Sequence, residues 1–236
     1  MFNGDNMQII EQEISIKGNM VRVPAIQVDD YIVIVTGQAM KVAEIYDEYW
    51  LERKCMPDPV NTLNIIQESP LKADLFTFTQ RVPDTEPRYA YPLEWDNYAV
   101  IPLSTYEEWL NKQISSMTRR NITASQKRGI EVRVSPYDDD YVKGIMSIYN
   151  ETPIRQGRKF WHYGKEYSSV YKENGTYSER SIFLSAHYDN SMIGYMKVVL
   201  DESTAAIMQI LSKIAYYDKR PNNALMATAV KECCKR

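Results

Sequence analysis

Residues 181–235 predict three consecutive β-strands followed by a helix, and this order constrains the fold more than any other feature of the chain. Polar turns separate three short apolar runs, at 182–188, 192–200 and 204–211. The segment beginning at Pro221 then has the composition of a helix start. Free N–H groups and the positive end of the helix dipole meet at such a start, so the layout suits an acyl donor or an anion.

The turn into this helix contains no glycine. All nine glycines of the chain lie at or before Gly194. A side chain at such a turn keeps a phosphate from approaching the backbone closely. The sequence therefore excludes a glycine-rich phosphate cradle at this position.

Composition predicts a globular protein in a reducing compartment. The chain has 236 residues, 44% of them apolar, enough for one large domain or two small ones. No apolar run reaches the ~18 residues of a membrane span, and the N-terminus lacks the features of a signal peptide. The three cysteines, Cys55, Cys233 and Cys234, form neither a disulfide framework nor a metal spacing. With two histidines in the chain, we expect no zinc site. The cysteine pattern fits a reduced, cytoplasmic setting best.

Prolines and charge divide the chain near residue 100. Four prolines punctuate residues 82–102, where they disfavour regular structure. Residues 1–100 carry a net charge of −8 and residues 101–236 one of +5. This asymmetry indicates either an anionic ligand on the basic half or a chance distribution over two surfaces. We predict two domains, 1–100 and 101–236.

Hydrophobic spacing predicts the elements of the N-terminal half. Alternating or continuous apolar runs predict strands at 10–16, 20–28, 31–35 and 74–80, with a turn at Gly18 and Asn19. Val42, Ile45, Tyr46 and Tyr49 have helical spacing, which predicts a helix over 38–54. A second helix is predicted over 61–68.

The C-terminal half begins with a predicted helix from Ser104 to Gly129. Ser104 and Glu107 have capping-box spacing, and Gly129 is a natural stop. The predicted buried stripe consists of Leu110, Ile114, Met117 and Ala124. A strand at 131–134, a helix capped by the aspartates at 138–140 and a helix over 165–173 complete the order.

From about Ile130 onward, this order resembles the N-terminal and central part of a GNAT N-acyltransferase domain. The preceding helix carries three further matching runs, at 107–110, 118–122 and 127–132. These runs, with the helix start at 221–225, resemble Fem-type aminoacyltransferases and related bacterial acyltransferase-like domains. The resemblance covers roughly residues 98–236.

The resemblance implies an α+β fold, in which helices and sheet form a three-layer α/β arrangement. It implies a GNAT-like mixed, mostly antiparallel sheet flanked by helices, with residues 1–100 as a smaller α/β half or a degenerate copy of the domain. A complete GNAT domain continues with further strands, so the C-terminal strands of the fold are expected to be missing. The strand at 204–212 would then pair its open edge with another chain or with the N-terminal half.

The resemblance leaves the acyl donor open between acyl-CoA and aminoacyl-tRNA. Coenzyme A–dependent members use a glycine loop whose two glycine positions, aligned on Leu225, are Arg220 and Asn222 here. Fem-type members lack that loop and use charged tRNA. Six residues are the predicted donor-binding set: Gln209, Ile210, Lys219, Arg220, Asn222 and Asn223.

Residues 151–165 are the densest functional candidate because cations, aromatics and a histidine share one loop. In the resembled family this region closes over the acceptor. His162 is the candidate general base, with Glu151 assisting, since imidazole titrates near neutrality. Four residues are the candidate acceptor-binding set: Arg155, Arg158, Tyr163 and Lys165. A packed loop with internally paired arginines is the alternative.

Three functions remain open from the sequence. The first is an acyltransferase that moves an acetyl or aminoacyl group to a small-molecule or peptide amine, in which tRNA is one candidate partner. The second is a catalytically silent module that binds an anionic ligand or a protein. The third, general nucleic-acid binding, has the least support because no recognised motif accompanies the modest positive charge.

Overall fold

The computed structural model describes residues 8–16, 19–55, 57–81, 84–202 and 204–236. It divides into two compact units, Met1–Asn97 and Tyr98–Arg236. Gly18 and Ser203, each in a polar turn that the sequence predicts between two strands, lie outside the described residues. Within the described ranges, no helix is both long and apolar enough to cross a membrane.

The N-terminal unit is a five-stranded sheet with one helix. Its strands, in spatial order, are β1 (Ile10–Ile16), β2 (Asn19–Val28), β3 (Tyr31–Thr36), β4 (Val42–Ile45) and β5 (Leu75–Thr77). The first four pair antiparallel. Helix α1 (Pro59–Glu68) precedes β5, which pairs with β4 in parallel. Val33, at 0% exposure, lies in the core with Ile26 and Ile66.

The helix predicted over 38–54 is wrong. Residues 42–45 form β4 instead, and they alternate in burial so that Ala43 and Ile45 face the core. Beyond β4 the chain makes a short 3₁₀ turn, Glu48–Trp50. The open edge of β3 offers backbone partners to β4, and this long-range pairing outweighs the helical spacing of the apolar residues.

The C-terminal unit is built around a four-stranded antiparallel sheet. Its strands, in spatial order, are β11 (Thr204–Ser212), β10 (Ser191–Asp201), β9 (Ser181–Tyr188) and β6 (Glu131–Val134). Its helices are α2 (Tyr106–Glu108), α3 (Ser116–Lys127), α4 (Asp139–Tyr149), α5 (Tyr167–Asn174) and α6 (Pro221–Cys233). A small hairpin, β7 (Ile154–Arg155) and β8 (Arg158–Lys159), connects α4 to α5.

The two faces of this sheet carry different helices. Leu184 and Met196, neighbours across β9 and β10, pack against Leu225 of α6. Phe183 and Tyr195 point the opposite way, towards α4. Because successive side chains of a strand point to opposite faces of the sheet, the unit has three layers, with α6 on one side of the sheet and α4 and α5 on the other.

Helix α6 lies close against the sheet because small residues meet there. A Cβ added to Gly194 would lie 3.1 Å from the Ser212 Cβ and 3.4 Å from the Leu225 Cδ1. The opposite side of α6 packs on α3, where Ala227 and Val230 meet Ile122. The three strands and the helix predicted for 181–235 are thus confirmed as elements.

The helix predicted from Ser104 to Gly129 is interrupted. Thr105, not Ser104, caps α2 by accepting the Glu108 N–H. The chain turns at Ile114, and Ser115 caps α3 afresh. The predicted stripe is also displaced, since Met117 is 58% exposed while Ile122 is buried.

Strand β11 lies at the edge of the sheet described here. Residues 204–207 are exposed, and the strand carries no charged side chain. Uncharged edges invite pairing. The partner predicted for this edge remains a prediction, as does the interpretation of the N-terminal unit as a degenerate copy.

We expect Leu225→Ala to destabilise the C-terminal unit by about 2–5 kcal/mol, because it empties a fully buried site between α6 and the sheet. Denaturant unfolding followed by circular dichroism measures this. Met117→Ala, at an exposed position of α3, serves as the control and should change stability by less than about 0.5 kcal/mol. Equal effects of the two substitutions would contradict the described packing.

Candidate active site

A pocket of about 260 Å³ lies between the aromatic loop after β8 and the outer strand of the C-terminal sheet. The loop contributes one wall and strands β10 and β11 the other. The lining residues are Phe160, Trp161, His162, Tyr195, Met208, Gln209, Ile210 and Leu211. The structure therefore brings His162 together with Gln209 and Ile210, which the sequence had assigned to different roles.

Strand β11 is irregular where it meets this pocket. Lys197 of β10 pairs with Gln209, whereas the next residue, Val198, pairs with Ile207. Met208 is therefore an extra residue, and β11 bulges there. A bulge leaves its extra residue out of the ladder and bends the strand, so this backbone is freed at the wall of the pocket.

His162 is neutral in this setting. Its ring stacks on Tyr149, with 4.2 Å between ring centroids, and contacts Phe160 and Trp161. Burial, followed by the charges of Lys165 and Arg155, lowers its pKa to about 4. Its buried Nδ1 has no hydrogen-bond partner among the described residues. His162 can accept a proton at neutral pH, but it is a weak base.

Glu151 serves the architecture of the site. Its carboxylate accepts the N–H groups of Ile214 at 2.7 Å and Ala215 at 2.9 Å. It also pairs with Arg155 at 2.9 Å, and both side chains are largely buried. These contacts occupy the carboxylate and anchor the turn after β11 to the end of α4, so the geometry favours positioning over proton transfer.

Arg155 is likewise used internally. Its guanidinium donates to the carbonyls of Ser212 at 3.0 Å and Ile148 at 3.2 Å, and it lies over Phe160. Only 9% of the residue is exposed. The packed-loop alternative describes this arginine better than a role in binding the acceptor does.

The other members of the acceptor set differ in availability. Lys165 pairs with Glu173 at 2.7 Å and lies over the Trp161 ring, 4.1 Å from its centroid. Tyr163 is 47% exposed and Arg158 is exposed on β8. Tyr163 and Arg158 are therefore the set members available to a ligand at the surface.

The start of α6 offers few free donors. Pro221 has no N–H, and the N–H of Asn223 is bonded to the Arg220 carbonyl at 3.1 Å. Arg220 itself adopts a left-handed conformation, φ 60° and ψ 43°. Lys219 lies over the Tyr188 ring. Among the first three residues of α6, only Asn222 has an N–H that is not bonded to a backbone carbonyl. A single free N–H is too few to form a phosphate cradle.

Two functional candidates escaped the sequence analysis. Tyr195 lines the pocket from β10, and nothing in its apolar run distinguishes it. Lys197 is the stronger omission, since a lysine inside a buried strand is itself a signal. Its ammonium donates to the Asn174 carbonyl and the Thr176 hydroxyl, both at 2.9 Å, and to the Thr176 carbonyl. It thereby caps the C-terminal end of α5.

A larger depression of about 420 Å³ runs along α3 and is lined by that helix alone. One helix face encloses no ligand, so we place the candidate active site at the aromatic pocket. Among the residues that the structure describes, no three His, Cys, Asp or Glu side chains cluster as a metal site would require.

Solved structures with related folds match this chain at low identity. One match is the C-terminal domain of a protein from Agrobacterium fabrum that is named as a lysylphosphatidylglycerol synthetase. It is 10% identical, with a TM-score of 0.50, and the match covers 95% of this chain and 67% of that one. FemX is 10% identical with a TM-score of 0.46, covering 98% and 77%. The N-acetyltransferase PaiA of Thermoplasma acidophilum, in complex with coenzyme A, is 19% identical with a TM-score of 0.34, covering 45% and 73%. No family model and no curated protein matches.

These matches bear on the fold alone. The order of elements agrees with the GNAT-like fold predicted from the sequence, and the match to the Agrobacterium fabrum domain shows a shared fold over 95% of this chain. The predicted fold class is confirmed: mixed α+β, with a mostly antiparallel sheet flanked by helices.

We expect Lys197 to make the stability depend on pH in the alkaline range. Burial lowers its pKa from 10.5 to about 8. Between these values the unfolded chain binds more protons than the folded one, so the Lys197 contribution to the free energy of unfolding rises with pH. Above pH 8, the free energy of unfolding of the wild type should rise relative to that of the Lys197→Met variant, by up to ~1.4 kcal/mol per pH unit. Urea unfolding measures this, and Lys127→Met, at an exposed site, should leave the pH dependence unchanged.

Proposed function

We propose that this protein transfers an acyl or aminoacyl group to an amine by direct attack in the aromatic pocket. The observation that carries the proposal is the bulge at Met208, which directs irregular edge backbone at a pocket that also contains His162. Acyl transfer needs oriented donors where the carbonyl oxygen becomes negative. A freed stretch of backbone beside a proton acceptor has that layout.

The proposed reaction needs no covalent enzyme intermediate. The amine nitrogen attacks the acyl carbonyl carbon, and the tetrahedral intermediate places negative charge on the oxygen beside β11. The bond to the donor's sulfur or ribose oxygen then breaks, and that atom takes a proton from solvent. The amine passes its own proton to His162 or to water. The pocket contributes orientation and water exclusion.

The start of α6 argues for a donor that is not held by a pyrophosphate cradle. Arg220 and Asn222 carry side chains where coenzyme A–dependent members have glycine, and the Asn223 N–H is already bonded. Aminoacyl-tRNA therefore fits better than acyl-CoA bound in the usual way. Gln209 and Ile210 would flank the acyl group, and the cations Lys219 and Arg220 would meet a phosphate from outside the helix.

The acceptor would enter past the loop that carries Tyr163 and Arg158. None of the residues that line the pocket is acidic. A polycationic amine would therefore meet no carboxylate on the pocket wall, and Glu151 and Glu173, the nearby carboxylates, are already paired with Arg155 and Lys165. We therefore propose a small-molecule or peptide amine that carries neutral or anionic groups.

A silent binding module remains the second candidate. It is favoured by the internal use of Glu151 and Arg155, which leaves the loop with fewer reactive groups than its sequence suggests. In that case the pocket would bind an anionic ligand or a protein segment without turnover.

We expect isothermal titration with coenzyme A to show binding weaker than about 1 mM, or no binding. The physical reason is the missing cradle at the start of α6. The double variant Arg220→Gly, Asn222→Gly is the matched comparison, because it restores glycine at both positions. Micromolar binding by the wild type would contradict our choice of donor.

We expect His162→Ala to lower the acyl-transfer rate by roughly 10²-fold, the lower end of the usual effect of a general base, because a pKa of about 4 makes this imidazole a weak base. Product formation is measured by mass spectrometry, with charged tRNA or acetyl-CoA and a panel of amines. His187→Ala, at the other histidine, is the control and should retain the rate.

We also expect the wild-type rate to be insensitive to His162 ionisation near neutrality. The imidazole stays unprotonated until the pH approaches its pKa of about 4, instead of the ordinary 6.5. The acidic limb of kcat/KM should therefore lie near pH 4. A limb near 6.5 that disappears in His162→Ala would show an unshifted histidine and contradict the described burial.

A further inference from the structure

Tyr195 is the most deeply placed polar group that lines the pocket. It lies on β10, directly across from Leu211 of β11, and 2% of it is exposed. Its ring packs edge-on against Tyr141 and Tyr149, with centroids 6.4 Å and 6.2 Å away. These contacts hold the ring on the α4 side of the sheet, so the position of its hydroxyl is fixed by packing.

The hydroxyl of Tyr195 has one close partner. Its oxygen lies 2.8 Å from the Tyr149 hydroxyl, and either atom could be the donor. The second contact is longer, 3.5 Å to Gln209 Oε1, which is the outer limit of a hydrogen bond. One of the two contacts is therefore strong and the other is weak.

The Tyr195 hydroxyl has two acceptors for its one proton. The hydrogen bond between the two phenols lowers the pKa of Tyr149 and raises the pKa of Tyr195, which is the effect of donation from Tyr195 to Tyr149. The same hydroxyl can instead turn its proton to Gln209 Oε1, at the wall of the pocket. The Tyr195 O–H is therefore a donor in both arrangements, and an oxygen in the pocket can take the place of either acceptor.

Tyr195 acts as a donor and not as a base. Burial raises its pKa far above the ordinary value, and the Tyr149 phenol adds to this effect. The hydroxyl stays protonated over the working range of pH. A neutral, fixed O–H in surroundings of low polarity is a strong donor to any oxygen that becomes negative nearby.

We propose that the Tyr195 hydroxyl donates a hydrogen bond to the carbonyl oxygen of the acyl group in the pocket, with the Gln209 side chain beside it. This inference rests on the proposed acyl transfer and adds a side-chain donor to the backbone of the β11 bulge. No proton moves to or from Tyr195 in the step. The bond strengthens as the carbonyl becomes the tetrahedral oxyanion, and it relaxes when the leaving group departs.

The test is isotope-edited infrared spectroscopy with a small thioester. The probe is S-acetyl-N-acetylcysteamine carrying ¹³C at the thioester carbonyl, which presents an acyl group without a nucleotide. A hydrogen bond weakens the C=O bond, so the labelled band of the bound probe should lie at lower frequency than that of the free probe. Tyr195→Phe should return the band towards the free position.

Tyr149→Phe is the matched control. It breaks the same 2.8 Å hydroxyl pair from the other side, but it keeps the Tyr195 hydroxyl in the pocket. It should therefore retain the shifted band, whatever stability both variants lose. Thermal unfolding of the two variants, compared in parallel, checks that each remains folded during the measurement.

The outcomes separate this inference from the proposed function. A shifted band in the wild type and in Tyr149→Phe, lost in Tyr195→Phe, supports the inference. A bound band that is unshifted, or that keeps its shift in Tyr195→Phe, overturns the inference and leaves acyl binding intact. If no bound band is found in the wild type up to the solubility limit of the probe, the pocket does not bind acyl groups, and both ideas fail.

Discussion

The packing of α6 across the antiparallel strands β9, β10 and β11 is the constraint on which the rest of the C-terminal unit depends. Leu225 fills the centre of this contact, and Gly194 lets the helix approach the strands. Burying one face of the sheet under α6 leaves the other face for α4 and its tyrosines. The pocket lies along this second face, where β11 reaches the edge of the sheet.

Internal pairing of charges determines which groups remain for chemistry. Glu151 and Arg155 hold the turn after β11 to the end of α4, and Lys165 is neutralised by Glu173. Lys197, on strand β10, caps the C-terminal end of α5. Buried charges need such partners because desolvation is costly. The pocket is therefore lined by neutral groups, with cations behind its walls. Burial, followed by the charges of Lys165 and Arg155, lowers the pKa of His162.

The candidate site could be predicted in part from the sequence. A loop dense in aromatics and cations identified His162, and the third strand of the meander identified Gln209 and Ile210, which meet at one pocket. The sequence could not show which loop cations were free, because Arg155 donates to the carbonyl of Ser212, which lies 57 residues further along the chain. Tyr195 could not be singled out, since its partner Tyr149 lies 46 residues earlier in the chain. Only folding brings such groups together.

Local pattern was sufficient where an element buries one regular face. The meander, α4 and α6 were read from apolar spacing and helix caps, and the lack of glycine before α6 was visible in the sequence itself. Tertiary structure decided the remainder. Residues 42–45 became a strand because β3 had an edge to pair. The helix predicted through Ile114 is interrupted there by extended backbone, and Trp109 is buried against α3 and α6. Backbone pairing and side-chain burial between distant segments outweigh local preference, and a sequence pattern carries no record of those partners.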